Sequence, residues 1–242
     1  MAGGGRFMLF VSADTFAAGS FENLEAYLQS WGVTFAHAPG KDGIEECFSI
    51  RDTAHALTVD GYTILGKVAD TGRAGEIMAP VTGTLRLGNA TGIRISDGFT
   101  PDGNGSFKNG AYTLHPLLRS YPGAEAWAGG RAVDRTAEGF NLVTLTERDD
   151  GAGLLVCSSV DFASEDAMQT GVYDNEKLLL AALAAMGKTD TPLHMISQPF
   201  SDDTIHILTT AQARHITVVL VAVPALLTAL IGLVVLIRRK NA

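Results

Sequence analysis

The clearest structural signal in the chain lies between residues 141 and 158, which read NLVTLTERDDGAGLLVCS. Two strand-like runs, Asn141 to Thr146 and Gly153 to Ser158, flank the polar stretch from Glu147 to Gly151. An Asp-Gly pair between two such runs is typical of a β-hairpin, because glycine adopts the left-handed backbone angles that tight turns require. The stretch therefore predicts two antiparallel strands joined by a turn at Asp150-Gly151.

The N-terminal segment indicates an α/β fold. Residues Phe7 to Ser12 form a continuous apolar run, which is typical of a central parallel strand buried on both faces. Ser20 is a good N-cap for a helix from Phe21 to Trp31, and Gly32 follows that helix as its stop. A further strand is expected over residues 33–36, which completes a β-α-β unit. The buried stripe of the helix is formed by Leu24, Tyr27, Leu28 and Trp31.

The rest of the N-terminal domain is expected to alternate irregular β structure with two helices. Residues 40–113 are rich in Gly, Asp, Thr and Asn, which favours loops and short strands. The predicted elements are strands at 62–68, 84–87 and 92–95, a short helix from Leu114 to Ser120, and a helix from Asn175 to Met186 between Asp174 as N-cap and Gly187 as stop. We expect one domain over residues 1–188 and a polar connector over 189–213.

The C-terminal segment predicts a transmembrane helix over residues 214–237. Residues 216–237 read ITVVLVAVPALLTALIGLVVLI and contain no charged side chain. A helix of that length spans about 33 Å, close to the roughly 30 Å thickness of the hydrocarbon core of a bilayer. The chain is therefore predicted to cross the cell membrane once.

The charged residues around this segment predict its orientation. Arg238, Arg239 and Lys240 follow it at once, and basic residues next to a transmembrane helix favour the cytoplasmic side. Residues 238–242 are therefore expected to be a cytoplasmic tail, and the large N-terminal domain is expected to be extracytoplasmic. The first ten residues do not resemble a signal peptide, which leaves two explanations. Either the C-terminal helix carries the domain across as it inserts, or, as we expect, an earlier membrane helix belongs to a longer protein.

Composition argues against nucleic-acid and metal-binding classes. The formal net charge is -8, and phosphate binding needs a basic face. One disulfide between Cys47 and Cys157 is possible, but the two lie 110 residues apart, and small buried residues are the usual case for cysteine. The histidines are scattered without metal-ligand spacing, at positions 37, 55, 115, 194, 206 and 215. We therefore predict no metal and no cofactor.

Three motifs suggest chemistry but lack a required part. Gly187-Lys188-Thr189 follows a predicted helix, whereas a phosphate-binding loop precedes one, so a helix C-cap is expected there. Residues Asp102 to Ser106 resemble a calcium loop but lack its glycine and its bidentate glutamate, so a surface turn is expected. Cys157 and Ser159 lie at a strand end without the glycines of a nucleophile elbow. We therefore predict no catalytic residue and no enzyme activity.

A family resemblance is carried by the segments 4–10 with 23–33, 115–120 with Ala126-Trp127, 154–162, 174–180, and 208–213 with Pro224, Gly232 and Arg238-Arg239. In this order the segments resemble the GldG-like family, named for bacterial gliding motility, of auxiliary proteins in uncharacterised ABC-type transport systems. The chain is similar to the C-terminal part of such proteins. The resemblance implies a non-catalytic flavodoxin-like or amidotransferase-like α/β domain, and an ABC permease and an ATPase as partners.

These observations predict a membrane-anchored auxiliary subunit of an ABC-type transport system that does not itself bind ATP. Its extracytoplasmic domain is expected to bind a partner or cargo, and a homo-oligomer is compatible with the sequence. Two alternatives stay open. One is a membrane-tethered amidotransferase-like hydrolase that uses Cys157 or Ser159, and the other is a glycan- or wall-binding module.

Overall fold

The computed structural model describes residues 5–13, 21–40, 43, 45–168 and 171–187. All of them belong to the compact unit Met1–Leu193. The predicted connector (189–213), transmembrane helix (214–237) and cytoplasmic tail (238–242) lie outside the described residues. Among the described residues, no helix combines the length and the apolar character needed to cross a membrane.

The described residues form fifteen strands, three α-helices and one 3-10 helix. The strands are β1 Arg6–Phe10, β2 Val33–Phe35, β3 His37–Pro39, β4 Glu45–Cys47, β5 Ser49–Arg51, β6 Thr63–Val68, β7 Leu85–Gly88, β8 Ile93–Ile95, β9 Thr100–Pro101, β10 Phe107–Asn109, β11 Tyr112–Arg119, β12 Glu125–Ala128, β13 Arg131–Arg135, β14 Asn141–Arg148 and β15 Gly153–Cys157. The helices are α1 Glu22–Ser30, α2 Gly72–Met78, α3 Asn175–Met186 and the 3-10 helix Val160–Ala163.

One large sheet organises the domain. Its main path runs β1-β15-β14-β11-β10-β9, with β6 and β7 joined through β11 and with β8 and β2 joined through β14. A three-stranded sheet, β13-β12-β5, and the pair β3-β4 complete the β structure of the described residues. The pairing of β1 with β15 is parallel, and the other ladders between described strands are antiparallel.

The prediction of a flavodoxin-like or amidotransferase-like α/β fold is wrong. Strands make up 39% of the described residues and helices 19%, so the domain is mostly β. A doubly wound α/β fold needs parallel strands joined by crossover helices. In this domain consecutive strands pair antiparallel instead. The pairs β10-β11, β12-β13 and β14-β15 are joined by short connections, and α2 lies in the connection between β6 and β7.

The N-terminal β-α-β segment shows why the sequence pattern predicted the wrong fold class. Strand β1 does pair in parallel, but it lies at the end of the sheet path instead of at the centre. Helix α1 covers Glu22–Ser30, within the predicted 21–31, and Gly32 follows with the expected positive φ of 89°. Strand β2 then pairs antiparallel with β8 and not with β1. Local patterns predicted each element, but strand direction depends on partners far away in sequence.

The predicted hairpin at 141–158 is confirmed. Glu147 pairs with Gly153 and Val143 with Cys157 along an antiparallel ladder. The Gly151 amide donates to the Arg148 carbonyl at 2.8 Å, and Gly151 has a φ of +82°. This geometry is a tight turn closed by a glycine in the left-handed region, as the Asp-Gly pair predicted.

The predicted helix at Leu114–Ser120 is wrong, because residues 114–119 belong to β11 and Ser120 follows directly after that strand. Leucines spaced three and four residues apart resembled the apolar stripe of a helix. The segment is buried on both sides, and a strand buried on both faces shows no alternation of apolar and polar residues. Proline has no amide hydrogen to donate to a neighbouring strand. Pro116 is tolerated in β11 because the strands on the edge away from β14 pair elsewhere: β10 pairs with 112–114 and β6 with 118–119. The register shift between Pro116 and Leu118 marks a bulge there.

Helix α3 is confirmed as Asn175–Met186, and Gly187 ends it by donating to the carbonyls of Leu183 and Ala184. The C-cap interpretation of Gly187-Lys188-Thr189 thus holds at its glycine, while the other two residues lie outside the described range. Asp174 occupies the N-cap position, but its side chain makes no cap hydrogen bond. Its carboxylate instead accepts the amide of Thr82 at 3.0 Å and that of Gly83, which ties α3 to the loop before β7.

Two hydrophobic clusters lie on opposite faces of β15. Leu155 and Cys157 belong to the cluster that contains residues of α2 and α3, and Leu154 and Val156 belong to the cluster that contains Leu28 of α1. Alternate residues of a strand point to opposite faces, so β15 is covered on both sides. Each fully buried side chain of this size stabilises the fold by about 1.5–3 kcal/mol.

The link between Asp174 and the 82–83 loop gives a stability prediction. Replacing Asp174 with Ala should lower the free energy of unfolding by about 1–3 kcal/mol, because two backbone amides lose their acceptor. The exposed Asp166→Ala variant is the matched control and should change it by less than about 0.5 kcal/mol. Urea unfolding of both variants measures the difference, and equal midpoints would show that the Asp174 carboxylate does not hold the loop.

Candidate functional site

A cleft of about 570 Å³ opens on the face of the sheet that carries α2. The start of α2, the loop at 102–106, strands β10 and β11, and the β14-β15 turn all contribute to its wall. The lining residues are Gly72, Arg73, Glu76, Asp102, Asn104, Ser106, Lys108, Thr113, His115, Glu147, Arg148 and Asp149. Most of these side chains are polar or charged, so the cleft suits a polar ligand.

Strand register brings three polar residues together at the base of the cleft. Phe107 pairs with Leu114, and the same register continued by one residue places Ser106 opposite His115. On the other side of β11, Thr113 pairs with Glu147, so Glu147 is the diagonal neighbour of His115. Diagonal neighbours on one face of a sheet are within reach of long side chains.

Ser106, His115 and Glu147 form a continuous hydrogen-bonded chain. The Ser106 hydroxyl Oγ lies 2.7 Å from His115 Nδ1, and His115 Nε2 lies 3.1 Å from Glu147 Oε2. The imidazole is largely enclosed: His115 is 5% exposed and Ser106 is 2% exposed. We call this chain the Ser-His-Glu cluster.

The charge on Glu147 sets the proton positions in the cluster. The hydrogen bond from His115 is the main cause that holds the pKa of Glu147 below its ordinary value, and the Arg73 guanidinium, 3.9 Å away, acts in the same direction. An ionised carboxylate only accepts hydrogen bonds, so it favours the proton on Nε2 of His115. Nδ1 is then free to accept the hydrogen of the Ser106 hydroxyl.

The Asp102–Ser106 loop is the turn-rich surface segment that the sequence predicted. One oxygen of the Asp102 carboxylate accepts the amide of Asn104 at 2.8 Å and that of Ser106 at 3.1 Å. The amide of Asn104 is the main cause that lowers the pKa of Asp102. This oxygen is therefore used to shape the loop, and the loop in turn fixes the backbone of Ser106.

A second charged pair holds the rim of the cleft at the β14-β15 turn. Arg148 donates to both carboxylate oxygens of Asp150, and one of these contacts, from Nε to Oδ1, is 2.8 Å long. The pKa of Asp150 is lowered to about 2, chiefly by this hydrogen bond. The amide of Ala152 also donates to Asp150, so the same carboxylate supports the turn.

Cys157 and Ser159, the candidate nucleophiles of the hydrolase alternative, lie in the core. Burial raises the pKa of the Cys157 thiol to about 12, so the reactive thiolate is disfavoured. The Ser159 hydroxyl donates to the Gly88 carbonyl at 2.6 Å, which joins β7 to the segment after β15. Both residues are fully buried and neither contacts a histidine through a described hydrogen bond.

Cys47 and Cys157 are free thiols, and both are buried. Cys47 Sγ lies 3.3 Å from His37 Nε2, but burial raises the pKa of this thiol to about 12. His55 contacts the Asp52 carboxylate at 3.1 Å and stacks on Tyr121. Among the described residues, no group of three or more His, Cys, Asp or Glu side chains has the arrangement of a metal site. The other histidines, 194, 206 and 215, lie outside the described range.

The Ser-His-Glu cluster is not predicted from the sequence, although His115 and the loop that contains Ser106 are both noted there. The three residues are separated by 9 and 32 positions and match no motif. Their proximity follows from the β10-β11 and β11-β14 registers, and assigning 114–120 to a helix removed the middle strand from consideration. The β10-β11 hairpin is local and places Ser106 beside His115, but the β11-β14 ladder that brings Glu147 to them joins strands separated by β12 and β13.

No protein-family profile matches the chain, and a search of curated proteins found no match.

The lowered pKa of Glu147 predicts a pH-dependent contribution to stability. A carboxyl group whose pKa is lowered by folding stabilises the fold above its unfolded pKa of about 4.3, and this contribution is lost as pH falls through the folded value. Glu147→Gln should therefore be less stable than the wild type at pH 7, and the gap should shrink below about pH 4.3. Urea unfolding across this range is the measurement, with the exposed Glu165→Gln as control. A gap that stays constant with pH would contradict the assignment.

Proposed function

We propose that the protein is a membrane-anchored auxiliary subunit of an ABC-type transport system that does not itself bind ATP. In this proposal its β-rich domain lies outside the cytoplasm and binds a partner or cargo. The observation that carries the proposal is the sequence of residues 216–237, which is mostly apolar, contains no charged residue and is followed by Arg238-Arg239-Lys240.

The free energy of insertion supports the membrane anchor. Fifteen of these twenty-two residues are Leu, Ile or Val, each favourable by a few tenths of a kcal/mol in a membrane helix. The sum is on the order of 5 kcal/mol, which exceeds the expected cost of Pro224 and Gly232. The basic residues after position 237 favour the cytoplasmic side for the C-terminus, and therefore the opposite side for the domain.

The character of the cleft supports a binding role for the domain. It presents cationic groups, Arg73 and Lys108, close to the carboxylates of Glu76 and Asp149. Mixed charge suits a polar protein segment or a charged cargo. No Phe, Tyr or Trp lies among the described residues that line this cleft, which makes it a poor platform for sugar rings and weighs against a glycan-binding module.

The identity of the partners rests on the resemblance to GldG-like auxiliary proteins. Such proteins are associated with a membrane permease and a cytoplasmic ATPase, and an anchor at residues 216–237 would lie beside the permease. A hydrolase that uses Cys157 or Ser159 is less well supported, since both side chains are enclosed in the core.

Photo-crosslinking in native membranes tests this proposal. A photoreactive residue placed at Lys108, on the cleft, should crosslink the full-length chain to a permease or ATPase subunit, identified by mass spectrometry. The same residue at Gln29, which is exposed on α1, should give a weaker crosslink because α1 packs on the other face of the sheet.

A charge variant controls for membrane insertion. Leu226→Arg with Leu227→Arg places two arginines near the centre of the apolar segment, at about 3 kcal/mol each, and should abolish the crosslink. The matched Leu226→Ala with Leu227→Ala variant should retain it. If the wild-type chain is recovered from washed membranes without a transport subunit attached, or is not membrane-bound at all, the proposal is refuted.

A further inference from the structure

We propose that the Ser-His-Glu cluster is a nucleophilic site that cleaves carboxylic esters, with Ser106 as nucleophile, His115 as general base and Glu147 as the residue that positions the imidazole. This inference goes beyond the transport role and does not depend on it. It also revises the expectation that the domain carries no catalytic residue.

The distances meet the geometric requirements of an activated serine. A nucleophile and its base need heavy atoms about 2.6–3.2 Å apart, and the base needs a third group to orient it. Ser106 Oγ and His115 Nδ1 are 2.7 Å apart, and His115 Nε2 and Glu147 Oε2 are 3.1 Å apart. Ser106 thus contacts the nitrogen that the carboxylate leaves unprotonated.

A comparison with Ser159 shows how the hydrogen bonding of Ser106 differs from that of an ordinary buried serine. Ser159 is also fully buried, but its hydroxyl donates to a backbone carbonyl, the usual way to satisfy a core hydroxyl. The hydroxyl of Ser106 is directed at an imidazole, and that imidazole contacts a partly exposed, ionised carboxylate. A buried serine that only needed a hydrogen-bond acceptor would not require an imidazole that is itself held by the Glu147 carboxylate.

The position of Ser106 restricts the substrate. The residue borders the cleft, yet only 2% of its surface is exposed, so a carbonyl group reaches it only as part of a narrow chain. The cleft itself, about 570 Å³ and charged, accommodates a polar alcohol portion. The site therefore fits an ester between a small unbranched acyl group and a polar alcohol.

Ester cleavage at this site needs Ser106, His115 and water, and no further reactant. Ser106 Oγ forms a bond to the ester carbonyl carbon, the carbonyl π electrons move to its oxygen, and the hydroxyl proton passes to His115 Nδ1. The carbon–oxygen bond to the alcohol then breaks, and His115 returns the proton to the departing alkoxide. Water cleaves the acyl-serine by the same proton route and releases the carboxylic acid.

Donors for the carbonyl oxygen are near Ser106 in sequence. The candidates are the side-chain amide of Asn104 and the ammonium of Lys108, since each residue lies two positions from Ser106 and both residues line the cleft. A developing negative charge on the oxygen is stabilised by such groups. Glu147 acts through His115 and is a positioning residue.

A fluorophosphonate probe tests the proposal on the full-length, detergent-solubilised protein. The probe phosphonylates serines that are activated by a base and leaves ordinary serines unmodified. The expected result is one modification per chain, mapped to Ser106 by mass spectrometry of the wild type, a result that requires no variant. Glu147→Gln, which keeps the shape of the side chain, should slow the modification at least about 10-fold because the imidazole loses its orienting charge.

Serine variants complete the test. Ser106→Ala should abolish the modification, and Ser30→Ala, which removes an exposed serine on α1, should leave its rate unchanged. Ser106→Cys, checked by its thermal unfolding, retains a side chain of similar size and should also lose most of the probe reaction. A folded wild-type protein that stays unmodified overturns the proposal, as does modification that maps to another serine or that proceeds at the wild-type rate in Glu147→Gln.

Discussion

Strand β15 lies second from one end of the main path of the large sheet, where it pairs with β14, and it is covered on both faces. β15 pairs with β1 on one edge and β14 on the other, and its side chains alternate between two hydrophobic clusters. Such a strand cannot change register by one residue without exchanging every contact on both faces. The position of β14, and through it that of β11, is therefore fixed by the burial of a short apolar strand.

The geometry of the cleft depends on the registers of β10, β11 and β14. The β11-β14 register places Glu147 diagonally opposite His115, and the β10-β11 register places Ser106 on its other side. The Thr146 hydroxyl donates to the carbonyl of Trp31 at 2.8 Å, which holds the end of α1 to the opposite face of the same strand. Three polar side chains can thus keep hydrogen-bonding distances because strands, and not loops alone, support them.

Local signals in the sequence predicted elements well and their arrangement poorly. The Asp-Gly turn and the Asn175–Met186 helix follow from short-range chemistry, and both are confirmed. Leu114 to Ser120 failed because a strand buried on both faces shows no alternation and can resemble a helical stripe. The fold class failed because the antiparallel partner of β2 is β8, about sixty residues away. The Ser-His-Glu cluster depends on two such registers, so no local pattern identified it.

Native-state hydrogen exchange measures the central constraint directly. If the double-sided burial of β15 organises the domain, the backbone amides of β14 and β15 should exchange most slowly, at rates set by global unfolding. The amides of α1 and β2 should exchange earlier, since α1 is largely exposed and β2 is a short strand on a side branch of the sheet. Slowest exchange in the β1-α1-β2 segment, with β14 and β15 opening first, would contradict this account.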